Sequence, residues 1–147
     1  MSLTKIVGQF FKPRQYALEK HYTQPEALQE AVLRHLLERG SNTEYGRNHL
    51  LSPKNSYEEF AKNVPINTYE ELKRDIDRMR HGEADVLWPG QVQLYAKSSG
   101  TTNDKSKFIP VSAEGLHDIH YQGGKDVVTF YLRNNPNLSL IHISEPT

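Results

Sequence analysis

The chain has 147 residues, with 18 basic and 18 acidic side chains and no cysteine. That length suits one compact domain or part of a larger one, and a folded chain of this size can bury roughly 68–70% of its unfolded surface. The balanced charge gives no electrostatic reason to expect a nucleic-acid or membrane partner, and the lack of cysteine excludes a disulfide framework and a thiolate zinc site.

The apolar patch Ile6-Val7-Gly8-Gln9-Phe10-Phe11 is too short and too polar for a signal segment or a membrane span, so a soluble, cytoplasmic protein is expected. The first ninety residues read as helical. Thr23-Gln24-Pro25-Glu26 has the spacing of a capping box, with Pro25 where a helix start tolerates it. Leu28, Val32, Leu36 and possibly Leu33 recur at helical spacing as far as Gly40. Tyr45-Gly46-Arg47 reads as a turn without chemistry. Ser56-Tyr57-Glu58-Glu59 is a second capping box, opening a short helix with Phe60 inward. A third, Thr68-Tyr69-Glu70-Glu71, opens a helix carrying Leu72, Ile76 and Met79 on one face and ending at Gly82. Pro53, Pro65 and Pro89 mark the connections.

After Trp88-Pro89-Gly90 the pattern changes. Gln91 to Ala96 alternates polar and apolar residues and predicts a strand. Lys107 to Val111 predicts a second, with Pro110 restricting it to an edge or strand end. Ser112 is a candidate N-cap for a helix reaching about Arg133, with Glu114 in its first turn. Trp88 suits a core position better than a lid. Leu138 to Thr147, "LSLIHISEPT", reads like an in-frame sequencing adapter and is expected to be a non-native tail on a native segment 1–137.

Between the two strands lies "YAKSSGTTNDKSKFIPVS", Tyr95 to Ser112. Gly100 allows close backbone approach to a ligand, consecutive N–H groups can form an anion-binding concavity, and Ser98, Ser99, Thr101 and Thr102 add rotatable donors. A lysine adds a compact positive charge. Hydrogen bonds to charged groups contribute about 1.5–3 kcal/mol each, so several could hold a triphosphate. The same composition equally describes an ordinary hairpin turn, which would leave a non-catalytic helical binding or interaction module. A Walker A loop does not fit: the second glycine before Lys105-Ser106 is missing, and the loop leads into a strand rather than a helix. In the following helix His117, His120 and Tyr121, at i, i+3 and i+4, are expected to share a face, lining either a substrate pocket or an ordinary packing surface. Gly123-Gly124 in mid-helix suggests close approach by another element or a ligand. No HExxH spacing or carboxylate cluster suggests a protein-ligated metal.

Ser-Ser-Gly-Thr-Thr followed by lysine resembles the phosphate loop of adenylate-forming enzymes, although Asn103-Asp104-Lys105-Ser106-Lys107 replaces the usual Gly-x-Pro-Lys ending. This variant is similar to that of the auxin-responsive acyl-acid–amido synthetase family. "NTEYGR" at Asn42–Arg47, "SYEEFAKNVPINTYEEL" at Ser56–Leu72 and "VLWPG" at Val86–Gly90 agree with it in order along the chain. The resemblance implies an α/β adenylate-forming domain. This chain would supply its α+β N-terminal part: helices over 1–90 and a strand–phosphate loop–strand–helix unit over 91–137. It implies ATP and magnesium as cofactors, a small-molecule carboxylic acid as substrate and an amine such as an amino acid as acceptor. Ser98, Ser99, Gly100, Thr101 and Thr102 would wrap the phosphates and Lys107 would neutralise them, ahead of Lys105. His117, His120 and Tyr121 would line the acyl pocket. The remaining adenine, ribose and acyl contacts would lie downstream, so the chain by itself is expected to be inactive and its general base is not assignable.

Overall fold

The computed structural model describes residues 3–99 and 106–135. Five helices come first: α1 Leu3–Thr23, α2 Pro25–Gly40, α3 Glu44–Asn48, α4 Tyr57–Asn63 and α5 Tyr69–Arg80. The antiparallel pair β1 Leu94–Lys97 and β2 Phe108–Val111 follows, then a π-helical segment Gly115–Tyr121 and α6 Gln122–Asn134. This is the expected α+β composition. The described residues form two compact units, one from within 1–28 and 117–147 and one from within 29–116. No helix of the described residues is long and apolar enough to cross a membrane.

In the first unit α1 packs along α6. Leu18 on α1, and Thr129 and Leu132 on α6, are buried. Arg14 grips Asp126 with two parallel bonds, Nε to Oδ1 at 2.5 Å and Nη2 to Oδ2 at 2.8 Å. Buried Thr129 satisfies its hydroxyl by donating to the Lys125 carbonyl at 2.7 Å. Nothing in the sequence marks α1 as one long helix, because Pro13 sits inside it and removes the N–H that would bond Gln9. The helix runs through Thr23, so Thr23 does not cap α2 as its spacing suggested. Its hydroxyl donates back to the Glu19 carbonyl at 3.3 Å. An N-cap needs extended backbone, which a residue ending the preceding helix lacks. Pro25 does occupy the first position of α2.

In the second unit the other two capping signals hold. Ser56 Oγ accepts the Glu59 N–H at 3.2 Å while Glu59 accepts the Ser56 N–H at 2.9 Å. Glu71 Oε2 accepts from the Thr68 N–H at 2.6 Å and from its hydroxyl at 2.8 Å. Ile76 and Met79 on α5 are buried, and Gly82 ends its last turn at φ +92°. Met79, Val86 and Val92 form the core, with Leu87, Trp88 and Tyr95 packed against it, so Trp88 is a core residue. The buried stripe of α2 is offset from the expected one: Leu37 is 2% exposed, while Val32 and Leu36 are 58% and 46% exposed. Leu33, one position along the helix surface, falls on the half-buried side.

The Tyr45-Gly46-Arg47 turn is the short helix α3. Thr43 caps it, accepting the Gly46 N–H at 2.9 Å and donating to the Gly40 carbonyl at 2.7 Å. The segment after α5 meets it: Glu44 and Tyr45 N–H groups donate to the Asp85 and Val86 carbonyls at 2.7 and 3.0 Å. A bidentate Arg78–Glu44 pair, at 3.0 and 2.6 Å, ties α5 to α3.

Candidate functional site

The two strands pair in the register Leu94↔Val111, Tyr95↔Pro110, Ala96↔Ile109 and Lys97↔Phe108. β1 is shorter than the run Gln91 to Ala96 predicted. Its partner stops at Val111 because Ser112 already caps the next helix, accepting the Gly115 N–H at 2.9 Å. Ahead of β1 Val92 enters the core instead, and Gln91 Nε2 donates to the Gly82 carbonyl at 2.7 Å.

One rung beyond β1 and β2, the hairpin closes on two of the candidate site residues. The Ser98 N–H donates to the Lys107 carbonyl at 2.9 Å, and the Lys107 N–H donates to Ser98 Oγ at 2.9 Å. A side-chain oxygen thus takes the place of the Ser98 carbonyl in this rung. Among the described residues the Ser98 hydroxyl proton has no acceptor, so it can serve an incoming one. Because bonded and non-bonded rungs alternate in an antiparallel pair, Lys97↔Phe108 and Tyr95↔Pro110 are non-bonded rungs. Pro110 therefore forfeits no ladder bond, which explains a proline inside a strand. Ser98 and Lys107 are half-buried and Ser99 is exposed. Gly100, Thr101, Thr102 and Lys105 lie outside the described residues.

Tyr69, the first residue of α5, is the site component the sequence did not disclose. Its hydroxyl accepts the Phe108 N–H at 3.1 Å, a donor that faces away from β1. The Lys107 ammonium lies 5.4 Å from the centre of its ring. The Arg80 guanidinium, at the other end of α5, lies 3.7 Å over the Phe108 ring and donates to Asp77 at 3.1 Å. Capping residue, helix start and strand start are thereby linked from Glu71 through Tyr69 to Lys107. Nothing in the Tyr69 neighbourhood of the sequence distinguishes it from a surface tyrosine, since its partners are 38 and 39 positions away (107 − 69 and 108 − 69). Tyr95 packs inward beneath the hairpin, and its buried hydroxyl has no partner among the described residues. Burial pushes its pKa up, with Arg80 opposing.

His117, His120 and Tyr121 all fall in the π-helical segment Gly115–Tyr121. Its i→i+5 bonding winds wider than an α-helix, so His120, at i+3, turns farther from His117 than α-helical spacing implies, while Tyr121, at i+4, stays on its side. His120 and Tyr121 stack edge to face with ring centres 5.6 Å apart, while exposed His117 bonds Asp118 at 2.6 Å. Gly123 and Gly124 follow in the first turn of α6. Apart from their chain neighbours and their own helix backbone, no atom of the described residues lies within 4 Å of a Cβ built on either, so they do not mark a close approach by another described element. Among the described residues no group of three or more His, Cys, Asp or Glu side chains is disposed to hold a metal.

The profile of the GH3 family N-terminal domain matches residues 14–144. The indole-3-acetic acid-amido synthetase GH3.15 of Arabidopsis thaliana is 36% identical over 100 residues, covering 67% of this chain and 17% of its own length. Indole-3-acetic acid-amido synthetase GH3.2 of the same plant is 34% identical over 100 residues, covering 67% of this chain and 18% of its own. A probable indole-3-acetic acid-amido synthetase, GH3.2 of Oryza sativa subsp. japonica, is 32% identical over 92 residues, covering 62% and 15%. The matched stretch thus spans between 15% and 18% of the length of these curated relatives.

Proposed function

The chain belongs to the GH3 family, and we propose that it supplies the nucleotide-phosphate loop of an ATP-dependent acyl-acid amido synthetase. The supporting observation in the structure is the closing rung of the hairpin. Ser98 and Lys107 pair backbone to backbone and backbone to side chain, so a hydroxyl-bearing residue and a cationic one sit together at the mouth of the Ser/Thr/Gly loop. The relatives' names supply the reaction class: two are named acid-amido synthetases and the third a probable one.

The chemistry explains why such a loop is needed. A carboxylate is inert toward an amine because its leaving group would be an oxide. In the proposed reaction a carboxylate oxygen attacks the α-phosphorus of ATP, the bond to the β-phosphate oxygen breaks, and pyrophosphate leaves. An amine such as that of an amino acid then attacks the acyl carbon, and AMP departs. The first step brings negative charges together, and donors fixed in advance around the phosphates stabilise its transition state. Ser98, Ser99, Gly100, Thr101 and Thr102 wrap the phosphates, and the Lys107 ammonium offsets their charge. Magnesium would enter with the nucleotide and offset part of the phosphate charge. His120 with Tyr121, and His117, face the acyl substrate. In this reading the chain carries the phosphate contacts, and the enzyme acts in the cytoplasm.

The test is acid-dependent exchange of pyrophosphate into ATP by a longer polypeptide carrying this segment. Gly100→Val puts a branched side chain where the backbone must meet phosphate, and Lys107→Ala removes the cation. Each is expected to reduce exchange on the order of a hundredfold, the scale seen when one oxyanion donor is removed. Exchange unchanged by both substitutions contradicts the proposal.

A further inference from the structure

Tyr69 makes two contacts to consecutive residues of the strand that leaves the loop, and each uses a different part of its side chain. The hydroxyl accepts the Phe108 N–H at 3.1 Å, which fixes the backbone at the start of β2. The ring lies 5.4 Å from the Lys107 ammonium. Tyr69 is itself held, because it is the first residue of a helix whose preceding residue, Thr68, is bound by Glu71 through two hydrogen bonds.

From this geometry we infer that Tyr69 is a positioning residue for Lys107, setting the ammonium in place for a nucleoside triphosphate before the ligand arrives. The role rests on the phosphate reading of the loop. Lysine is a point charge on a flexible four-carbon stem, so its orientation is the costly part of using it as a ligand group. A carboxylate partner would orient the ammonium but cancel the charge that a phosphate needs. An aromatic face attracts a cation through its quadrupole and leaves the net charge intact. The ring engages one side of the ammonium and leaves its other donors free, so the contact persists while the ammonium donates to a phosphate.

The test uses the whole chain, with Tyr69→Phe, Tyr69→Leu, Lys107→Gln and the double variants. The Lys107 side-chain proton signals should be displaced upfield by the Tyr69 ring, unchanged in Tyr69→Phe and returned to ordinary positions in Tyr69→Leu. Mg-ATP should bind Tyr69→Leu about three- to fivefold more weakly, the range a cation–π contact supplies, and Tyr69→Phe within about twofold of the parent. In the Lys107→Gln background Tyr69→Leu should then make no further difference. A purely structural tyrosine would weaken binding equally in both backgrounds, and that result, or the absence of the upfield displacement, overturns the proposal. Lack of Mg-ATP binding in every variant, with the displacement intact, instead overturns the phosphate reading and reduces the Lys107–Tyr69 contact to packing.

Discussion

Gly46 has no room for a side chain. A Cβ built there would lie 1.9 Å from the Gly40 carbonyl oxygen and 2.7 Å from its carbon, so the backbones of α2 and α3 would have to part. Gly46→Ala is expected to destabilise the chain by about 3 kcal/mol, the upper range of overpacking, seen as a lower urea midpoint at unchanged slope. A midpoint within error of the parent contradicts the close approach. Ser98 carries a different expectation. Ser98→Ala leaves the Lys107 N–H without its acceptor, at a cost of about 1 kcal/mol, so amide exchange at Lys107 should quicken roughly fivefold. Unchanged exchange would mean that the Ser98 carbonyl takes the bond instead. Tyr95→Phe removes a buried hydroxyl that has no partner among the described residues, and should leave stability unchanged or raise it.

At the scale of the element, local signals were legible and partners were not. The boxes at Ser56 and Thr68 and the cap at Ser112 each involve residues three apart, so spacing alone disclosed them. The signal at Thr23 misled because a helix already filled that position, and nothing within four residues shows where a preceding helix ends. Sequence alone does not place the buried stripe of α2, because Val32 and Leu36 are as apolar as Leu33 and Leu37; burial is decided by what lies opposite. The π winding of Gly115–Tyr121 carries no signature in "GLHDIHY", so the angles among His117, His120 and Tyr121 differ from those that α-helical spacing implies. The hairpin was legible from its alternation, but its length was set by the cap at Ser112 rather than by strand-like residues. The Ser/Thr/Gly loop was legible as composition; Tyr69, its neighbour across the fold, was not. Met79 is the core of this unit, and Met79→Ala should cost about 2–5 kcal/mol with lost amide protection from Ile76 to Val92.

Across the molecule, arginine–carboxylate pairs appear in both units and set the pH response. Hydrogen bonds from Arg14 hold Asp126 below the usual carboxylate range, and Arg78 does the same for Glu44 and Glu83. Each carboxylate has a lower pKa folded than unfolded. Their stabilisation is therefore complete above the ordinary values, near 4, and is lost as the pH falls through the folded ones. Thermal midpoints should be flat near neutrality and drop below about pH 4, with a shallower drop in Arg78→Met than in the parent. Equal acid slopes would show that Arg78 does not govern Glu44 and Glu83. The raised pKa of Tyr95 acts at the other end: above about pH 10 the unfolded chain loses that proton first, so stability declines there and Tyr95→Phe should lessen the decline.

In the proposed function the loop from Ser98 to Lys107 grips phosphate. The direct measurement is a Mg-ATP titration of the isotope-labelled chain followed residue by residue in amide spectra. Shifts are expected at Ser98, Ser99, Gly100, Thr101, Thr102 and Lys107, and are expected to vanish in Gly100→Val while the signals of Leu94–Lys97 and Phe108–Val111 stay in place. Shifts confined to other residues, or a response that survives Gly100→Val, would contradict it.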